Sequence, residues 1–169
     1  NKNFFENKNL IVDFINNPYI DINNFNLAYE YEYINQTAAA ISYYLRCAEF
    51  TKNKDLSYEC LLRMSKCLDK QKNRSNKELA CIKHAISILP NRLEAYYIIS
   101  LYHSYRNNWL DAYMYACIGL ENKDTKHNPL IKNIGYYNIY QLLFQKALSG
   151  YNKGKINESK QIYHYILNN

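Results

Sequence analysis

Glycine and proline are scarce: the 169-residue chain has four of the first and three of the second. Tight turns lean on those two residues, so a sheet protein with many hairpin turns is excluded. No C-x-x-C pair occurs, and the five cysteines, Cys47, Cys60, Cys67, Cys81 and Cys117, fall inside apolar helical stripes. An odd count without paired spacing suits reduced, buried thiols and a cytoplasmic setting. No apolar run approaches membrane-spanning length, and no cationic-then-apolar leader opens the chain, so membrane insertion is not expected. Concentrated positive charge is missing too. The net charge is +6, yet Lys and Arg are mixed with acids, and Lys52-Asn53-Lys54 and Lys70-Gln71-Lys72-Asn73-Arg74 are short and sit at helix ends. A nucleic-acid partner calls for a basic stripe. The scattered charge reads as a solvated surface instead.

What is present is apolar and aromatic. At 48% hydrophobic and 21% charged residues the chain is globular, and its length suffices for one domain with a core. Nineteen tyrosines are spread along the whole sequence together with much Asn, Lys and Ile, which fits a compositional bias of the genome. The first residue is Asn1, so the chain is expected to be a piece of a longer polypeptide.

Pro90 to Glu121 sets the pattern. Ala95, Ile98, Ile99 and Tyr102 recur at helical spacing, as do Ala112, Ala116, Gly119 and Leu120, with the polar turn Arg106-Asn107-Asn108 between. Ser100, Ala112, Ala116 and Gly119 are small where two antiparallel helices would approach closely, and Trp109 opens the second helix as a plug. Such a hairpin must stack on others to cover both faces. Residues 21 to 53 repeat it, with Phe25, Leu27, Ala28 and Tyr31, then Ala40, Tyr44, Cys47 and Ala48; Thr37 is expected to cap the second helix. Residues 55 to 90 form a less regular hairpin with a long turn from Lys70 to Asn76, and Glu78 occupies a position the pattern wants small. Before these, residues 1–20 hold a short capping helix, Asn9 to Asn16, stopped by Pro18, with Phe4 and Phe5 beside it. After them, a polar linker and Asn128-Pro129 precede a helix expected from about Ile131 to Tyr151, then a turn and a last helix to Leu167. Four hairpins result, at about 21–53, 55–90, 91–126 and 128–169.

The period of about 34 residues and the small–aromatic alternation resemble the tetratricopeptide repeat. The phrases AISYYLRCAEF, LSYECLLRMSKCLDKQ, ILPNRLEAYYIISLYH and IGYYNIYQLLFQKALSGYNKGK carry the likeness further. From about residue 24 to 167 the chain resembles the tetratricopeptide-like helical region found behind family 2 glycosyltransferase domains in some bacteria and large viruses or phages. The resemblance implies an all-α, TPR-like α-solenoid of about four antiparallel hairpins that serves as an accessory module. It carries no catalytic residue over, because no Asp-x-Asp metal motif and no nucleotide-binding strand is present.

Reactive constellations are weak. Cys81 with His84, and Cys60 with Cys67, share helix faces but lack the tight paired spacing of zinc sites. His103, His127 and His164 fall on polar or boundary positions and read as surface residues. Glu30 and Glu32, two apart, point to different helix faces. Arg92 reads as a structural partner for the preceding hairpin, through a carboxylate such as Glu59. The sequons at Asn35, Asn73 and Asn157 are accounted for by the abundance of Asn. No catalytic residue, metal or cofactor is expected.

A binding surface remains. In stacked hairpins the first helices line a concave groove. The repeat frame puts Phe25, Tyr29, Tyr33, Arg63, Lys66, Tyr97, Leu101 and Tyr105 there. Tyr and Arg favour interfaces because they offer area and a polar handle at little entropic cost. The expected function is a non-catalytic scaffold for a protein or peptide partner or for a second copy of the chain. The alternative is an assembly protein whose stack associates with itself or with a larger particle.

Overall fold

The computed structural model describes residues 8–72 and 74–169. Phe4, Phe5 and Asn73 therefore lie outside the described residues. Among the described residues there are nine helices and no strand. Two compact units divide the chain, Asn1–Ile88 and Leu89–Asn169.

In the first unit, α1 (Lys8–Asn16) packs on α2 (Asp21–Tyr33), and α2 pairs with α3 (Thr37–Phe50). The next hairpin is α4 (Lys54–Lys70) with α5 (Ser75–Ile88), and α4 also packs on α3. That double contact explains the burial of α4, where Leu56, Tyr58, Cys60, Leu61, Leu62, Met64, Cys67 and Leu68 are all core residues. Asn53 caps α4, its side chain accepting from the amides of Asp55 and Leu56. Thr37 does not cap α3. It is the first helical residue, and its hydroxyl accepts a hydrogen bond from Gln71 Nε2 at 3.0 Å, 34 residues away. One hairpin's turn is thereby tied to the next hairpin's turn. The apolar residues of α1 are only partly covered, since Leu10 and Phe14 are half-buried while Ile11, Val12 and Ile15 are exposed.

The second unit holds α6 (Leu93–Ser104), α7 (Trp109–Glu121), α8 (Ile139–Asn152) and α9 (Ile156–Asn168). Pairs α6–α7 and α8–α9 form hairpins, and α7 packs on α8. The small residues of α6 and α7 meet as the sequence requires. Ser100 Oγ donates to the Ala112 carbonyl at 2.8 Å, and both residues are buried. A Cβ on Gly119 would stand 2.7 Å from Tyr96 Cβ and 2.9 Å from a Leu142 methyl, so glycine is required for the approach.

Three turns share one geometry. Asn35, Asn107 and Gly154 have φ of 62°, 57° and 84°, and the next residue's amide donates five residues back, Gln36 to Tyr31, Asn108 to His103 and Lys155 to Gly150. This is the Schellman closure, and Asn and Gly tolerate its left-handed residue best.

One helix starts late. Residues 131–138 are not helical, and α8 begins at Ile139. Asn133 Oδ1 accepts from the Gly135 amide at 2.6 Å, Gly135 takes φ 87°, and Asn138 caps Tyr140. Side-chain bonds to the local backbone compete with helix, and here they win.

Candidate binding surface

Aromatic side chains on α2 run from core to surface. Phe25 is fully buried and meets Tyr44 edge-on, with ring centroids 5.8 Å apart. Tyr29 is half-buried, and Tyr33 is 60% exposed. The cause is the register: residues four apart drift slowly around a helix, so a stripe that begins under α3 ends in the open. On α6 the corresponding residues start half-buried, not in the core. Tyr97 and Leu101 are half-buried and Tyr105 is 79% exposed.

Arg63 of α4 is not a surface residue. Its side chain is 2% exposed, with Nε donating to Glu59 at 3.0 Å and Nη1 to Glu32 at 3.1 Å. The guanidinium also lies 4.9 Å from the Tyr29 ring centroid. Glu32, paired only with Glu30 in the sequence reading, is the acid on which this cluster closes, since Tyr44 Oη donates to it at 2.6 Å. Burial, then the Glu32 charge, pushes the Tyr44 phenol up, so it stays a neutral donor. Lys66, one turn along α4, is half-buried; burial pulls its ammonium below the ordinary lysine range against the opposing charge of Glu32. Of the residues expected on the first unit's surface, Phe25 and Arg63 are thus core, and Tyr29, Tyr33 and Lys66 reach solvent.

In the second unit, Tyr97 packs on Tyr136 with centroids 5.4 Å apart, and Gln141 Nε2 donates to Tyr97 Oη at 3.4 Å. A cavity of about 310 Å³ opens beside them, between Glu94 and the segment from Pro129 to Tyr137. Sequence reasoning missed it by running the helix through that segment. The pairs Asn133–Gly135 and Asn138–Tyr140 are the signal that marks a loop there.

The cysteines follow the expectation in part. Cys47, Cys60 and Cys67 are buried, Cys81 and Cys117 half-buried, and all are free. Burial raises the Cys67 thiol to about 12. His103 departs from its expected surface place: it is buried, stacked on Tyr115 at 5.5 Å, with Nδ1 3.6 Å from Asp111. Arg92 is buried and forks onto Glu94, Nη2 at 2.6 Å and Nε at 3.2 Å. Among the described residues, no group of three or more His, Cys, Asp or Glu could hold a metal. No helix among them is long and apolar enough to cross a membrane.

Set against solved structures, the chain matches the crystal structure of MamA with a TM-score of 0.71, covering 94% of this chain and 83% of that one at 14% identity. A second MamA protein structure gives 0.66 over 92% and 75%, again at 14% identity. YrrB, described as a TPR protein with an unusual peptide-binding site, gives 0.50 over 94% and 91% at 11% identity. No protein-family model and no curated protein matches the sequence. Identities this low speak for architecture alone, and the architecture is all-α and tetratricopeptide-like, a helical-repeat solenoid of antiparallel hairpins.

Proposed function

We propose that the chain is a non-catalytic interaction module that holds a protein or peptide partner against the first helices of its hairpins. The observation that carries this reading is the stripe on α2, anchored in the core at Phe25 and delivering the exposed Tyr33, with the exposed Tyr105 following half-buried Tyr97 and Leu101 on α6. Anchored tyrosines bring contact area with little entropy left to lose. YrrB, of the same architecture, is described as binding peptide. Attachment to a glycosyltransferase is the finer form of the proposal and is supported by the sequence resemblance. The test is affinity capture with Tyr33→Ala, Lys66→Ala and Tyr105→Ala combined, chosen because none of the three is a core residue. Partner recovery is expected to fall to background while helical content is kept. Recovery unchanged from the parent chain overturns the helix-face reading.

Self-assembly is the second reading, and one feature favours it. Leu110, Met114 and Ile118 lie four apart on α7 and are 50%, 49% and 39% exposed. Sedimentation resolves the two readings: a monomer unaffected by Leu110→Lys and Met114→Lys removes assembly through that stripe.

A further inference from the structure

One half-buried arginine differs from the others. Arg63 and Arg92 pair with carboxylates, and Arg106 donates to the Tyr102 carbonyl. Arg46 of α3 has no ion pair and no hydrogen bond among the described residues. Aromatic rings gather around it instead. Its guanidinium carbon lies 5.5 Å from the ring centroid of Phe14, 5.8 Å from that of Tyr19 and 5.3 Å from that of Phe50. Nε is shut off from solvent, and the terminal nitrogens are not. The frame around the charge is held from several elements. Phe50 follows Arg46 by four residues on α3, and Phe14 of α1 meets Tyr43 edge-on at 5.2 Å. Tyr19 sits in the turn between α1 and α2, which the buried Asn24 fastens by donating to the Pro18 and Ile20 carbonyls, both at 2.9 Å. Apolar surface lies open here: Tyr19 is 75% and Phe50 44% exposed, and Ile15, next to Phe14 in α1, is 67% exposed.

We propose that Arg46 and its three rings form a docking site for an acidic side chain of a partner peptide, one flanked by apolar residues. Charge complementarity selects the acid. The rings replace water against the guanidinium and hold its charge in an apolar setting, while its terminal N–H groups are left to donate. A carboxylate accepts two of them in the fork geometry that only arginine offers. A basic side chain is repelled by Arg46, and a neutral amide accepts a weaker hydrogen bond. Glu49, three residues along α3, is exposed and makes no ion pair with Arg46, so the charge is not neutralised from its own helix. Because the rings already hold the arginine in place, little side-chain entropy is left to lose on binding. Apolar neighbours of the acid cover the open faces of Tyr19 and Phe50. The site uses none of Tyr33, Lys66 and Tyr105, so it is tested separately from the helix-face reading.

The test is a titration of the full chain with N-acetyl-leucyl-glutamyl-leucine amide and with its glutaminyl counterpart, followed by backbone amide NMR. The glutamyl probe is expected to shift the amides of Tyr19, Arg46 and Phe50 and to bind about fivefold more tightly than the glutaminyl probe. Added salt should narrow that ratio. Arg46→Gln should bring the two probes level, and Arg46→Lys, which keeps the charge and loses the fork, should restore part of the difference. Tyr19→Ser, at an exposed turn position, should weaken both probes. If Arg46→Gln fails to fold, the salt dependence of the parent chain and the Tyr19→Ser titration decide. Equal binding of the two probes by the parent chain, or shifts confined to residues outside 11–22 and 43–50, overturns the proposal. A parent-chain dimer in sedimentation that Arg46→Gln dissociates puts a second copy on the site and overturns the peptide assignment.

Discussion

Arg63 lies almost wholly out of water between Glu59 and Glu32, with Tyr44 donating to the same Glu32 carboxylate. Removing one partner of a buried ion pair strands the other, at a cost of about 3–5 kcal/mol, whereas an apolar replacement of the whole group can be neutral. Arg63→Ala is therefore expected to lower unfolding free energy by about that much, and Arg63→Met to lose a similar amount because Glu59 and Glu32 remain charged. Combining Arg63→Met with Glu32→Gln and Glu59→Gln should recover a large part of the loss. Urea unfolding of the four proteins measures this, and a triple variant no better than Arg63→Met would show that the charges are not the cause. The sequence displayed Arg63 at a groove position and could not show this role. Helical spacing says which residues share a face. It does not say that α4 is covered by α3 on one side and α5 on the other.

At the scale of elements, hairpin positions were legible where small and aromatic residues alternate, because Ser100, Ala112 and Gly119 leave few ways for α6 and α7 to pack. The start of α8 was not legible. Ile131, Ile134 and Tyr137 repeat every three residues and mimic a helical stripe, yet Asn133, Gly135 and Asn138 bond locally and hold the backbone open. The cavity went unread with it. A polar cluster ties α7, α8 and α9 together: Tyr113 Oη donates to Glu158 at 2.9 Å, and Lys146 Nζ lies 2.9 Å from the same carboxylate. The Lys146 hydrogen bond, then that of Tyr113, holds the Glu158 carboxyl below its ordinary 4.5 despite the opposing effect of burial. A depressed folded-state value stabilises above the unfolded value and is lost as pH falls through the folded one. Glu158→Gln should thus destabilise at neutral pH, by an amount that shrinks as an acidic pH falls through the lowered folded-state value. Parallel urea titrations at neutral and acidic pH check this, and a difference independent of pH would assign the effect to packing.

Over the whole molecule, stability in a helical-repeat protein is a sum of hairpin terms and nearest-neighbour contacts, so damage stays near its origin. Here two compact units, Asn1–Ile88 and Leu89–Asn169, give that locality a boundary to test. Gly119 offers the cleanest lesion. Its missing Cβ would fall 2.7 Å from the Tyr96 Cβ, which cannot rotate away, and 2.9 Å from a Leu142 methyl, which can. Overpacking of this kind costs about 1–3 kcal/mol, partly offset by the better helix propensity of alanine. Gly119→Ala should force α6 and α8 outward from α7 and speed amide hydrogen exchange in Tyr96–Ser104, Ala112–Leu120 and Leu142–Ser149. Exchange at Leu56–Leu68 in α4, where the first unit's core is densest, should stay within error of the parent chain. Equal acceleration in α4 would mean that both units open as one cooperative block, and the nearest-neighbour description would then fail for this chain.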